Sequence, residues 1–107
     1  MALAINSEGS QTTSGTTEHT LATITASGVY VLVVDLADMI KGDEVVLRIK
    51  TKLTAGDTSQ LAYYTVLSNA QAELNHYSIP VPSPIEFVAT LQATVGGVTA
   101  IWAVYSL

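Results

Sequence analysis

Two apolar rows, each stepping two residues at a time, constrain this chain more than any other feature. Tyr30, Leu32, Val34 and Leu36 form one row, and Val45, Leu47 and Ile49 form the other, with the period that a pleated strand burying one face requires. Between them Asp38–Asp43 has room for about one helical turn, with Asp35 or Asp38 available as N-cap and Gly42 as the residue that ends it. The stretch Gly28–Leu53 is therefore predicted to be strand, helical turn, strand, and its two rows are the predicted heart of the core. Opposite the second row stand Arg48, Lys50 and Lys52, three of the four basic residues in the chain, on a single strand face. That face must meet solvent or an acidic partner.

The same alternation recurs on both sides of this unit. His19–Ala26 alternates with weak facial preference. Gln60–Ser68 sets Leu61, Tyr63, Thr65 and Leu67 against Ala62, Tyr64 and Val66, after a loop Thr54–Ser59 whose turn is placed at Gly56-Asp57. If this strand pairs with Val45–Ile49 as a hairpin, either Tyr63 or Tyr64 joins the basic face, where its ring can stack on Arg48 or a lysine stem. Asn69–Asn75 is too short for a stable helix and reads as a connector. Pro80, Pro82 and Pro84 then force an extended segment that lacks ladder donors and belongs on a sheet edge or crosses between sheets. Ile85–Thr94 alternates strictly, Val95–Val98 reads as a two-glycine hairpin turn, and Thr99–Leu107 is apolar on both faces, as in a central strand or an interface.

Seven or eight short strands with no long helix predict an all-β fold, an antiparallel sandwich or jelly-roll-like barrel. A chain of 107 residues supports one such domain. Its predicted extent is residues 19–107. Residues 1–18 read as a polar N-terminal arm or edge segment: residues 2–5 suit a short edge strand, and the Ser/Thr-rich run after them suits a loop or a docking arm.

Charge narrows the partners. Charged residues make up 12% of the chain where ordinary domains carry about 25%, and mean hydropathy is +0.40, so part of the surface is expected to be buried against other subunits. A net charge of -5 argues against gripping nucleic acid. The absence of cysteine removes disulfides, thiolate nucleophiles and Cys-based zinc sites. His19 and His76 stand on separate segments without ligand-spaced partners, no G-x-S-x-G or D-x-D-x-D-G sequence occurs, and Asp43-Glu44 is explained as a turn cap. No enzyme activity, metal or cofactor is expected. Nor is a Sec signal or a membrane span, since the apolar runs break at Asp35 and at Gly96-Gly97.

Taken in order, TEHTLA (Thr17–Ala22), GVYVLVVDLADMIKGDEVVLRIKTK (Gly28–Lys52), LAYY (Leu61–Tyr64) and HYSIPVPSPIEFVATLQ (His76–Gln92) resemble a set of short proteins encoded among the virion structural genes of tailed bacteriophages. The similarity runs through nearly the whole chain after the N-terminal segment, with LRIKTK its most specific piece. It implies a non-enzymatic virion part, assembled in the host cytoplasm, whose partners are the major capsid protein or another virion protein and further copies of itself. A charge-poor β domain suits repeated docking on a lattice. The expected role is capsid decoration, with a head-tail or tail ring component as one alternative. The other is a host-surface or carbohydrate-binding module stacking through Tyr63, Tyr64, Tyr77 and Trp102. The expected partner-contact residues are Arg48, Lys50, Lys52, Tyr63 and Tyr64.

Overall fold

A computed structural model describes residues 4–52 and 54–107. Residues 1–3 and Leu53, which belong to the expected edge strand and to the end of the central unit, lie outside the described residues. Among those described, nine strands form: β1 (Ala4–Thr12), β2 (Glu18–Ile24), β3 (Gly28–Asp35), β4 (Glu44–Thr51), β5 (Gln60–Ser68), β6 (Asn75–Tyr77), β7 (Val81–Ser83), β8 (Phe87–Val95) and β9 (Thr99–Ser106). One sheet runs β1-β9-β3-β6 with β7 also on β3, and the other runs β2-β8-β4-β5. All pairings are antiparallel. The two sheets share one buried core, so the fold is a β-sandwich, with one or two strands more than periodicity predicted. The proline segment contributes two short strands, β6 and β7, where one extended segment was expected, and the edge strand expected over residues 2–5 runs on to Thr12 as β1.

The two apolar rows lie where they were expected, but on opposite layers. Leu32 and Val34 project from β3 in the first sheet, Leu47 and Ile49 from β4 in the second, and each of these side chains is at most 1% exposed. The connection between them therefore arches across the core. It is not the expected helical turn. Two tight turns take its place, closed by Met39 N–H donating to the Leu36 carbonyl at 3.1 Å and Asp43 N–H to the Ile40 carbonyl at 3.1 Å. Asp35 caps the first by accepting from Ala37 N–H at 2.9 Å, and Asp43 caps the second by accepting from Ile40 N–H at 3.0 Å. Between the two turns Met39 is buried in the core shared by the sheets.

Val95–Val98 is likewise a crossing between sheets and not a hairpin, because β8 and β9 belong to different layers. Both strands bury alternate residues: Phe87, Ala89, Leu91 and Ala93 on β8, and Ala100, Trp102 and Val104 on β9. Placing the strands in different layers sets these rows face to face, where lateral pairing would set them side by side. Tyr30 and Phe87 join the layers with ring centroids 5.2 Å apart, and the Tyr30 hydroxyl donates to the Ala26 carbonyl at 2.7 Å.

The polar N-terminal run is a strand where a loop or arm was expected over residues 6–12. β1 pairs with β9 from Ala4 to Thr12, with a bulge between Ile5 and Ser7. Apolar periodicity does not announce it, since most of its side chains are exposed. What holds it is the ladder and Gly9, whose missing side chain admits the Trp102 ring: a Cβ there would lie 3.2 Å from it. The proline segment forms the opposite edge of the same sheet. Between β6 and β7 the ladder is carried by Ser78, whose N–H donates to the Leu32 carbonyl at 2.8 Å and whose hydroxyl accepts from Leu32 N–H at 2.9 Å.

Candidate functional site

The expected contact row lies on the outer face of the second sheet. Antiparallel pairing sets Arg48 opposite Tyr64 on β5 and Thr90 on β8, and the bulge after Ile49 brings Lys50 opposite Leu61. The Arg48 guanidinium stands over the Tyr64 ring at 5.4 Å from its centroid, a cation–π contact. Tyr63 is on the other side of the strand. It packs against the core, and its hydroxyl meets His76 Nε2 at 2.8 Å across the open side of the sandwich. Arg48, Lys50 and Tyr64 are thus brought together, Lys52 follows beyond the end of β4, and Tyr63 is excluded.

The acid that the basic row requires is already within the chain. Glu18, at the start of β2, reaches across β8: its Oε2 lies 3.4 Å from Lys50 Nζ and 3.7 Å from Arg48 Nη1, and accepts from the Thr90 hydroxyl at 2.6 Å. The Thr90 hydrogen bond holds the Glu18 carboxyl below its ordinary range, Lys50 and Arg48 act in the same direction, and partial burial opposes them. Arg48 also donates to Gln92 Oε1 at 2.7 Å, and Lys52 Nζ is 3.9 Å from Glu86. Two cations share one carboxylate and the third has its own, so the row offers an outside partner far less charge than its three cations suggest. Sequence reasoning missed Glu18, Thr90 and Gln92 as its partners. The polar row Thr90–Gln92–Thr94 was visible, but which strand lay beside it was not.

A second surface covers the outside of the first sheet. Register aligns Ile5, Tyr105 and Val31 in one row across β1, β9 and β3, and Ala103, Val33 and Tyr77 in the next across β9, β3 and β6. Ile5, Ile101 and Tyr77 are each more than half exposed. Glu8 adjoins Ala103 in the second row, and Asp35 pairs with Ile101 and Asn75 in the row beyond, so the charges on this face are acidic. A shallow groove crosses this face between Ile5, Ile101 and Tyr105, with Glu8, Asp35 and Asn75 also on its walls. This is the outer face of the strand predicted to be apolar on both sides.

Trp102 lies under Gly9 and is 9% exposed, so the four aromatic residues considered for ligand stacking are spread over the core, the strip above β4 and the opposite sheet. His19 Nε2 accepts from Ser14 N–H at 3.0 Å, and burial lowers the pKa of His76. Among the described residues no three His, Asp or Glu side chains converge as a metal site, and no helix is long and apolar enough to cross a membrane. Geometry thus defines an antiparallel β-sandwich with one apolar outer sheet face and one compensated basic strip. Compared with known proteins, the chain matches no family model, no curated protein and no solved structure.

Proposed function

We propose that this protein is a non-enzymatic structural subunit of a tailed-bacteriophage particle, a capsid decoration protein that docks on the head lattice and so resides in the virion. The observation that carries the reading is the apolar outer face of the first sheet, three of whose large side chains are more than half exposed. Four strands about 4.8 Å apart and seven residues long at about 3.4 Å each span roughly 450 Å². A stable pairwise interface buries about 800 Å² per partner, so one such face binds weakly alone and gains strength by repetition on a lattice. The phage assignment rests on the sequence resemblance. A host-surface or carbohydrate-binding role draws no support from the aromatic side chains, which share no platform.

Cosedimentation of the purified protein with phage heads assembled without it tests the reading. Saturable binding is expected for the native chain, and Ile101→Lys should weaken it at least about tenfold while leaving the fold intact, because a charge at an exposed position is harmless until the face is covered. Absence of binding to heads overturns the decoration role. Binding to isolated tails or connectors instead favours the ring alternative.

A further inference from the structure

A sandwich of two open sheets has four edges, and three of them are protected against pairing with another chain. β1 carries Glu8 and a bulge between Ile5 and Ser7. β2 carries Glu18 and a bulge between Thr20 and Ala22. On the remaining side of the first sheet, β6 and β7 are three residues each, with Pro80 between them, Pro82 inside β7 and Pro84 just after it. Charges, bulges, prolines and short length are the devices by which edges avoid strand addition.

β5 lacks almost all of them. It is nine residues long, hydrogen-bonded among the described residues to β4 alone, and contains no charged residue, proline or glycine. Its bulge falls at Ala62, leaving Tyr63–Ser68 in regular register. Tyr64 and Val66 on its outer face are 52% and 43% exposed. Such an edge is a template for an added strand.

We infer that β5 pairs antiparallel with β5 of a second copy of this chain, forming one continuous eight-stranded sheet about a two-fold axis at Thr65. The strand's own sequence selects this occupant. With Thr65 opposite Thr65, Tyr64 meets Val66 of the second copy on the outer face and Tyr63 meets Leu67 on the inner face, each twice by symmetry. The five central residues thus pair aromatic against aliphatic or hydroxyl against hydroxyl, combinations that stabilise cross-strand neighbours, and Ala62 falls opposite Ser68 at the ends. No charge enters the junction. The two β4 strands that carry Arg48 are three strand spacings apart, about 14 Å, beyond the screening length of about 8–10 Å at moderate ionic strength. The inference stands on this edge alone and holds whether or not the subunit decorates a capsid.

Because the chain has no cysteine, a single Thr65→Cys substitution reads the register directly. Residues directly opposite in an antiparallel pair have Cα atoms about 4.5–5.5 Å apart, within the range a disulfide spans. Under mild oxidation Thr65→Cys is expected to cross-link into a dimer much faster than the control Ser10→Cys on β1. In sedimentation equilibrium up to about 100 µM the native protein is expected to dimerise. Val66→Lys should weaken that dimer about tenfold or more by placing a charge opposite Tyr64, and Ile101→Lys on the other sheet should leave it unchanged. Circular dichroism of each variant checks that the sandwich persists. A monomer throughout this range, cross-linking no faster than the control, or a dimer indifferent to Val66→Lys would each overturn the inference.

Discussion

Gly96 shows how narrow the tolerance is at the crossing between the sheets. Its φ is +74°, in the left-handed region, and a Cβ there would collide with the carboxylate of Asp43. That carboxylate is buried and holds Ile40 N–H, so it cannot simply move aside. Gly96→Ala is expected to cost roughly 2 kcal/mol or more through backbone strain and lost cap geometry, seen as a fall in thermal midpoint of about 8 °C or more. Two ionisable residues should shape stability against pH. Burial lowers the pKa of His76 from 6.5, so the unfolded chain takes up the proton first as pH falls, and His76's share of stability, complete above 6.5, declines below it. The imidazole meets the Tyr63 hydroxyl at 2.8 Å, so its charge state bears on that contact as well. Glu18, lowered from 4.5, repeats the pattern further down: its contribution is present above 4.5 and is lost as pH drops through its folded value. Urea titrations across pH 3–8 should show His76→Gln flattening the upper limb and Glu18→Gln the lower. Curves parallel to native would remove these assignments.

At the scale of the element, β1 is the instructive case. It buries little of itself, yet Gly9 lies against the Trp102 ring, and the β1 ladder satisfies one whole side of β9. Removing residues 1–12 should therefore leave a folded sandwich whose single tryptophan is newly exposed. The expected signature is a red shift of tryptophan emission and a stability loss of about 2–4 kcal/mol, reflecting uncovered aromatic surface and unpaired backbone groups. Unshifted emission with unchanged stability would mean that the strand is dispensable and that these residues serve only as an arm. The proline segment behaves differently. It breaks into β6 and β7, but Ser78 spans the gap by serving Leu32 as both donor and acceptor, so the β3 edge stays satisfied where proline can give no ladder N–H.

For the whole molecule, the surface is ordinary in extent and unusual in character. Its 5667 Å² matches the roughly 5,700 Å² that size scaling assigns to a monomer of this mass, while the outside of the first sheet exposes Ile5, Ile101 and Tyr77 beside two acidic residues. The basic strip belongs to this scale because its ion pairs join β2, β4 and β8. Replacing Arg48, Lys50 and Lys52 together by Gln should cost no more than about 1 kcal/mol, since partly exposed ion pairs contribute little, and the residual cost would come from Glu18 left with Thr90 alone. Docking through the strip predicts slower, less salt-sensitive attachment to particles for this variant. Equal rates at every salt concentration would assign the strip to intramolecular pairing.

What the sequence by itself determined is the class of fold and the buried half of most strands, because a period of two is local and survives whatever the strand packs against. Gln60–Ser68 was legible to its ends, and the inward rows of β3, β4 and β8 were legible residue by residue. Which strands share a sheet was not. Periodicity says which side of a strand is buried and nothing about what lies beside it, so the connections before β4 and after β8 were read as local reversals when they cross the core. Of β1 only the start, within the expected edge strand over residues 2–5, was legible; the rest was hidden because its order comes from a neighbour's ladder, with no apolar pattern of its own. The fate of the basic row, too, was decided only in three dimensions: Glu18 is 30 residues from Arg48 in the chain, and it is the intervening β8, paired with both strands, that brings its carboxylate within 4 Å of the guanidinium.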